Sequence, residues 1–272
     1  IAALCANRQN EKLLPGVPIP ETVELTNRLS CVEGADLVML ATPSFAVRQT
    51  ASKLRGMIAD GTVVVSLSKG IEYQSLLLFS DVILQELPQV RVAVLSGPSH
   101  AEEVARGVPT TIVSASSDRE AAMLVQDIVM NDTLRVYTND DIIGVQLAGA
   151  LKNIIAVASG CLYGLGLGDN TKAALITRGL SEIARLGKKL GAHASTFAGL
   201  AGIGDLVVTC TSVHSRNRRF GVLLGEGYGV EEALQKVGMT VEGYHAARAA
   251  QALSRREGVE MPITEQCCKV LY

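Results

Sequence analysis

Residues 62–68 read T-V-V-V-S-L-S, a continuous apolar and β-branched run without alternation of polar and apolar positions. Such a run is typical of a strand buried on both faces, as in a parallel sheet covered by helices. Similar runs occur before and after it, and the complete set of predicted strands is 36–42, 62–68, 91–96, 110–115 and 134–137. Helical patterns at 45–57 and 73–87 are long enough to cross between parallel strands. The sequence therefore predicts an α/β fold with part of a doubly wound sheet.

After about residue 139 the strand signal ends and the chain reads as a series of helices. The predicted helices are 142–162, 173–190, 230–237, 244–257 and a last one beginning after Pro262. Arg178, Glu182 and Arg185 are interpreted as a solvated ladder of ion pairs on one helix face. The predicted organisation is a partial dinucleotide-binding (Rossmann-type) domain at 1–139, followed by an all-α helical substrate domain at 140–272.

The beginning of the chain departs from the usual order of a doubly wound nucleotide domain. Such a domain opens with a strand, a Gly-rich turn and a helix whose N-terminus faces a pyrophosphate. Here the chain opens with I-A-A-L-C-A-N-R, which resembles the tail of a helix, and no G-x-G-x-x-G motif occurs in the 272 residues. The glycines of G-L-G-L-G at 164–168 are interpreted as a loop that ends a helix. We therefore expect both ends to be truncated, and the 272 residues alone to be poorly soluble or inactive because inner strands are missing.

Composition narrows the classes of protein to consider. The 25 basic and 27 acidic side chains balance, which does not favour a nucleic-acid binder. The six cysteines show no metal-binding spacing, so they are expected to be reduced thiols that pack in the interior of a cytosolic protein. No signal peptide or membrane span is predicted. The expected location is cytoplasmic.

The most informative stretch for function is residues 202–220, G-I-G-D-L-V-V-T-C-T-S-V-H-S-R-N-R-R-F. Its consecutive residues Ser215, Arg216, Asn217 and Arg218 can all donate hydrogen bonds to an oxyanion. Guanidinium groups bind phosphate bidentately through charge-assisted hydrogen bonds. The stretch favours a clamp for a small phosphate, and a solvated basic turn is the alternative.

Lys152 lies in the middle of an apolar helical segment, V-Q-L-A-G-A-L-K-N-I-I-A-V-A. Small residues on the same helix face leave room for a ligand, and desolvation would lower the pKa of this lysine towards a value useful for acid–base chemistry. A lysine that snorkels to the surface is the alternative. Asp205 could hold Lys152 or a substrate hydroxyl, or cap a helix. Lys69 follows a predicted strand, where ligands of open α/β sheets bind, but could also be solvated.

The segment G-P-S-H-A-E-E at 97–103 follows another predicted strand. Ser99 and Glu102 have the spacing of a capping box, and the same helix start offers free N–H groups to a ligand oxygen. The four histidines share no spacing that indicates a metal site, so no metal is predicted. They are interpreted as surface or loop residues.

An ordered set of motifs resembles the bacterial-type NAD(P)-dependent glycerol-3-phosphate dehydrogenases over essentially the whole chain. The motifs are P-G-V at 15–17, S-K-G at 68–70, S-G-P-S-H-A-E-E at 96–103, G-V-Q-L-A-G-A-L-K-N at 144–153, T-R-G-L at 177–180, A-G-I-G-D-L at 201–206, S-R-N-R-R-F-G at 215–221 and V-E-G at 241–243. The resemblance implies an enzyme that interconverts dihydroxyacetone phosphate and sn-glycerol 3-phosphate with NAD or NADP, for glycerophospholipid synthesis.

The resemblance also implies roles for individual residues, with Lys152 as the catalytic acid–base group. The residues implied to bind substrate are Lys69, Gly97, Ser99, Lys152, Asp205, Ser215, Arg216 and Asn217. Those implied to contact the cofactor are Lys69, Ala101, Arg216, Thr240 and Glu242. The expected partner is a small-molecule substrate, a triose phosphate. Neither a nucleic-acid partner nor a membrane span is expected, and whether the protein forms a homodimer is left open. The alternatives are a fragment that is catalytically inactive alone, a non-catalytic binding or assembly module, or a related dehydrogenase of the 3-hydroxyacid or phosphogluconate type.

Overall fold

The computed structural model describes residues 2–272 and contains one five-stranded sheet. The strands are β1 (Leu37–Leu40), β2 (Val63–Ser66), β3 (Arg91–Ser96), β4 (Thr110–Ala115) and β5 (Leu134–Asn139). They lie side by side in chain order, and β1, β2 and β3 are parallel to one another. The register sets Leu37 of β1 beside Val63 of β2, and Val63 beside Arg91 of β3. All five predicted strands are confirmed, β3 and β4 with the predicted bounds and the others with ends shifted by one or two residues.

The direction of β4 is the feature that the strand pattern did not predict. β4 runs antiparallel to β3, whereas β5 is parallel to β4. Only a four-residue helix, α4 (Ala101–Val104), lies between β3 and β4, and a parallel crossover usually needs a full helix. The connection therefore stays at the carboxyl edge of β3 and keeps residues 97–101 there.

Helices cover both faces of the sheet, as the continuous apolar strands require. α2 (Val47–Lys53), α3 (Phe79–Glu86) and α5 (Arg119–Val129) are the longer helices of this region, and α1 (Ala2–Asn7) precedes the sheet. The predicted helix at 73–87 was wrong over its first six residues. There the chain forms a loop closed by a bridge between Ile71 and Leu78, with Leu76 at a φ of 58°, a backbone conformation that a helix cannot continue through.

The rest of the chain is helical. It comprises α6 (Ile142–Gly164), α7 (Asp169–Lys189), α8 (Ala194–Phe197), a π-helical turn (Leu200–Gly204), α9 (Asp205–Thr211), α10 (Arg216–Gly225), α11 (Val230–Val237), α12 (Glu242–Glu257) and α13 (Pro262–Leu271). Short 3₁₀ turns occur at Leu29–Val32 and Ser44–Ala46. The predicted fold class, a partial doubly wound sheet followed by helices, is confirmed. The division into two units at 139/140 stays a prediction, although β5 ends at Asn139 and α6 begins at Ile142.

Helix α6 is the centre of the helical region, and α7, α9, α10, α12 and α13 pack around it. Two segments, Ile142–Gly164 and Ala194–Thr211, are long and apolar enough to cross a membrane by length and composition alone. For the first, 83% of the apolar window is buried inside the protein. The apolar composition of α6 is thus accounted for by its place in the core.

α10 approaches α6 so closely that glycines are required on both helices. A Cβ on Gly160 would lie 2.1 Å from the carbonyl oxygen of Arg218, and a Cβ on Gly221 would lie 2.0 Å from that of Val157. Side chains at these positions would collide with backbone, which cannot move aside as a flexible side chain can. The close approach places the first turn of α10 beside the middle of α6.

Glu182 is not part of a solvated ladder, which corrects the interpretation from helical spacing. Its side chain is buried and accepts hydrogen bonds from the backbone N–H of Ile263 (2.7 Å) and Thr264 (3.3 Å). Its carboxylate therefore caps the N-terminus of α13, where a negative charge is favourable. Spacing along one helix could not reveal this partner because the partner lies 81 residues further along the chain.

The cysteines divide into two groups. Burial raises the pKa of Cys161 to about 11 and the pKa values of Cys210 and Cys267 to about 12, as expected of thiols that pack in a core. Cys5 and Cys31 are exposed, so the prediction that the cysteines are packing residues is wrong for these two.

Replacing Gly221 with alanine is expected to lower the free energy of unfolding by about 1–3 kcal/mol, because the new methyl group overpacks the α6–α10 contact. Gly229→Ala is the matched control, since a Cβ there meets nothing within 4 Å. Its expected cost is below about 1 kcal/mol, the difference between glycine and alanine at a helix N-cap. Urea denaturation of both variants measures the difference, and equal losses would contradict the close-approach interpretation.

Candidate active site

A cleft of about 860 Å³ lies between the sheet and the helices. One wall comes from the carboxyl ends of β1, β2 and β3 with the loops that follow them. The opposite wall comes from α6, α9, the start of α10 and the loop before α12. Ligands of open α/β sheets bind at this edge of the strands. The predicted site residues that line the cleft are Lys69, Ser99, Ala101, Lys152, Ser215, Arg216, Asn217, Thr240 and Glu242.

Lys152 lies in the core of α6 with 6% of its surface exposed. The alternative of a snorkelling lysine is therefore excluded. Its ammonium donates hydrogen bonds to Oδ1 of Asp205 and, at 2.7 Å, to Oγ1 of Thr209. The small neighbour Gly149 lies against Lys69 and Ser96 rather than against open space, since a Cβ there would be 2.9 Å from Oγ of Ser96.

Asp205 joins the two lysines of the cleft. Its Oδ2 accepts a hydrogen bond from Nζ of Lys69 at 2.8 Å, while Oδ1 accepts from Lys152. Lys69 also donates to the carbonyl oxygen of Gly97 at 3.1 Å. Asp205 is the first residue of α9 and not its N-cap, so the capping alternative was wrong. The π-helical turn before it, Leu200–Gly204, is a rare geometry that frequently occurs at functional sites.

The electrostatics of this trio favour proton transfer near neutral pH. Burial, and after it the positive charge of Lys69, lower the pKa of Lys152 to about 7. Burial by itself would raise the pKa of Asp205, but the two ammonium groups outweigh it and leave that pKa below its ordinary value. Asp205 therefore stays ionised while Lys152 can gain or lose a proton.

The sequence analysis did not identify two residues that contribute hydrogen bonds to the site, Thr209 and Asn153. Thr209, one helical turn after Asp205, donates to the Asp205 carbonyl at 2.6 Å and so presents its lone pairs to Lys152. Asn153 accepts a hydrogen bond from Asn217 at 2.9 Å. The i, i+4 spacing of Asp205 and Thr209 was available as a signal, but the partner of Asn153 lies 64 residues away.

The predicted phosphate clamp forms the start of α10. Ser215 is its N-cap and accepts a hydrogen bond from the backbone N–H of Arg218 at 3.2 Å. Asn217 is buried, and its Oδ1 accepts from the backbone N–H of Gly243 at 2.8 Å. Arg216 is exposed. A helix start with these donors is suited to an anion, because its free N–H groups and its dipole attract negative charge.

The loop after β3 contributes Gly97, Ser99 and Ala101. Gly97 has a φ of 126°, and a Cβ there would lie 3.1 Å from Cα of Ile112, so only glycine fits. Ser99 donates to the carbonyl of Gly97 at 3.0 Å instead of capping α4, whose N-cap is His100. The predicted capping box is therefore wrong, and Ser99 remains on the cleft wall.

The residues at the cleft fit the polar groups of a nicotinamide cofactor. The hydroxyls of Thr42 and Ser96 line the cleft at the strand ends, buried and without a partner within residues 2–272. Glu242 reaches across from α12 and accepts from the backbone N–H of Ser44 at 3.4 Å. Ala101, Thr240 and Glu242, with Arg216 and Lys69, line the same cleft and stay the predicted cofactor contacts.

The chain thus combines a Rossmann-type sheet, a helical region and a cleft with a buried lysine and a helix start suited to an anion, which is the arrangement expected of a dehydrogenase. The sequence matches two family models, described as the N-terminus (residues 1–122) and the C-terminus (residues 141–272) of NAD-dependent glycerol-3-phosphate dehydrogenase. The chain belongs to the NAD-dependent glycerol-3-phosphate dehydrogenase family.

Individual relatives of the chain carry the name of the same family. "Glycerol-3-phosphate dehydrogenase [NAD(P)+]" of Moorella thermoacetica is 56% identical over 271 residues, which cover 99% of this chain and 81% of that protein. The same enzyme of Clostridium perfringens is 52% identical over 98% of this chain and 81% of its own length. A crystal structure of glycerol-3-phosphate dehydrogenase from Coxiella burnetii superposes with a TM-score of 0.96 at 41% identity, covering 100% of this chain and 83% of that one.

The family match decides against the alternative of a 3-hydroxyacid or phosphogluconate-type dehydrogenase. It confirms the predicted family, the oxidoreductase class and a nicotinamide cofactor. The individual site residues, the homodimer, the absence of a membrane span, the cytoplasmic location and the inactivity of the isolated chain stay predictions.

Replacing Lys69 with methionine is expected to raise the pKa of Lys152, because it removes the nearby positive charge that lowers that pKa. If Lys152 is the proton acceptor, oxidation of glycerol 3-phosphate by the unchanged protein rises as the pH passes about 7. In the variant the rise moves to higher pH. Profiles of kcat/KM against pH, with cofactor saturating, measure this shift. A profile that keeps its midpoint would show that Lys69 does not tune the acid–base group.

Proposed function

We propose that this chain interconverts dihydroxyacetone phosphate and sn-glycerol 3-phosphate in its cleft, with NAD(P) as cofactor and Lys152 as the acid–base group. The product of the reduction supplies glycerophospholipid synthesis. The observation that carries the proposal is that one cleft holds both a buried lysine with a pKa of about 7 and a helix start whose donors suit an anion. A three-carbon phosphate ester offers a matching pair of groups, its C2 oxygen and its phosphate.

The phosphate would be bound at the start of α10 by Ser215, Arg216 and Asn217. Asn217 is held rigidly through Asn153 and Gly243, so its remaining N–H is fixed in place before the substrate arrives. Arg216 supplies charge from the exposed rim. Binding the remote phosphate fixes the reacting carbon against Lys152, and such positioning lowers the barrier of the chemical step.

In the reduction, the ammonium of Lys152 donates a proton to the C2 carbonyl oxygen, which becomes the hydroxyl of sn-glycerol 3-phosphate. A reduced nicotinamide, when bound, supplies the hydride that adds to C2. Lys152 is left neutral and takes up a proton from water before the next turnover. Asp205 stabilises the ammonium of Lys152, and Lys69 keeps the pKa of Lys152 low enough for release of the proton. In the oxidation, neutral Lys152 accepts the proton of the C2 hydroxyl.

Lys152→Met is expected to lower kcat/KM for dihydroxyacetone phosphate by about 10²–10⁴, the usual contribution of a general acid–base group. Methionine preserves most of the side-chain volume, and Asp205 keeps Lys69 as its partner. The assay follows NADH absorbance with dihydroxyacetone phosphate. Full activity in the variant would refute the role of Lys152. A chain that binds sn-glycerol 3-phosphate but turns nothing over would favour the binding alternative.

Arg216→Ala is expected to lower kcat/KM for dihydroxyacetone phosphate by about 10- to 100-fold, because it removes charge-assisted hydrogen bonds to the phosphate. The rate with dihydroxyacetone, which has no phosphate, should change far less. Arg219→Ala is the matched control, since Arg219 is exposed on the same helix and does not line the cleft. Equal losses on both substrates would remove Arg216 from the clamp.

A further inference from the structure

His100 carries a buried polar atom that has no partner in the part of the chain the structure describes. Its Nε2 is fully enclosed, yet no hydrogen bond reaches it from residues 2–272. Leaving a buried nitrogen without a hydrogen bond is unfavourable, so such atoms usually meet a ligand or water. His100 is a loop residue, as interpreted from sequence, but its Nε2 is not on the surface.

The position of His100 makes the substrate the natural partner. It precedes α4 on the loop after β3 and lines the cleft together with Ser99 and Lys152. Its ring lies 6.0 Å from the ring of His214, which immediately precedes the phosphate clamp on the opposite wall. Both rings line the cleft that also holds Lys152 and Ser215, so they border the space that a bound substrate would occupy.

The imidazole is neutral in this setting. Burial first, and the ammonium of Lys152 second, lower its pKa below the ordinary value, against the weaker opposing effects of Glu102, Asp205 and Glu103. A neutral imidazole nitrogen either donates or accepts one hydrogen bond, depending on the tautomer. A hydroxyl group can do both and is therefore a suitable partner for either tautomer.

A triose phosphate has three polar groups, and the proposed function uses two of them. The phosphate is assigned to the start of α10 and the C2 oxygen to Lys152, which leaves the hydroxyl on C1. We propose, on the basis of that function, that His100 binds the C1 hydroxyl and determines the preference for substrates that carry it. His100 is then a specificity residue in contact with substrate, and it takes no part in the proton transfer.

The hydroxyls of Ser96 and Thr42 also line the cleft and lack a hydrogen-bond partner within residues 2–272, but they fit this role less well than His100. Ser96 is the last residue of β3, and its Oγ lies close to Gly149 of α6. Thr42 follows β1, which β2 separates from β3, the strand before the His100 loop. Both lie at or just after strand ends, whereas the ring of His100 lies 6.0 Å from the ring of His214, the residue just before the clamp.

The test compares two substrates that differ only at C1: dihydroxyacetone phosphate and hydroxyacetone phosphate, which has a methyl group there. His100→Leu is expected to lower the ratio of kcat/KM values, first substrate over second, by about 10- to 100-fold, because the hydroxyl loses its partner. His100→Gln, whose amide reaches about as far as Nε2, should restore most of the ratio. His193→Leu is the control, an exposed histidine away from the cleft.

A ratio of two rates measured on one preparation is insensitive to a loss of folded protein. The inference is overturned if His100→Leu slows both substrates equally, or if Ser96→Ala and not His100→Leu removes the discrimination. Failure of the proposed function would look different, since the unchanged protein would then reduce neither substrate. Loss of discrimination in His100→Leu with recovery in His100→Gln supports the inference.

Discussion

The carboxylate of Asp205 is the interaction on which the cleft depends. It lies buried between the ammonium groups of Lys69 and Lys152, one from the loop after β2 and the other from the middle of α6. Removing one partner from a buried ion pair costs about 3–5 kcal/mol, because the remaining charge is left without compensation. The same carboxylate therefore connects the sheet to the helices and holds Lys152 in place.

The trio also explains how a lysine can act near neutral pH. A single carboxylate beside Lys152 would favour the ammonium form and raise its pKa. Burial and the second cation act in the opposite direction, and together they prevail. The lowered pKa of Lys152 thus depends on two ammonium groups that share one buried carboxylate, and none of the three residues could produce it alone.

The phosphate side of the cleft depends on backbone packing more than on charge. α10 can bring its first turn beside Lys152 only because Gly160 and Gly221 let the two helices approach to backbone contact. The hydrogen bonds from Asn217 to Asn153 and from Gly243 to Asn217 then fix the clamp to α6 and α12. The clamp is preorganised, so binding does not have to order it.

The sequence by itself determined the strand positions, most helices and the family, because buried parallel strands and amphipathic helices leave periodic patterns and the site residues lie in ordered motifs. It also identified Lys152, Asp205 and the 215–217 segment as chemically unusual. Only the tertiary structure decided the antiparallel direction of β4, the capping role of Glu182, the contribution of Thr209 and Asn153, and the buried edge of His100. Each of these depends on a partner or a chain direction set by packing between distant segments, and local patterns carry no information about which distant segments meet.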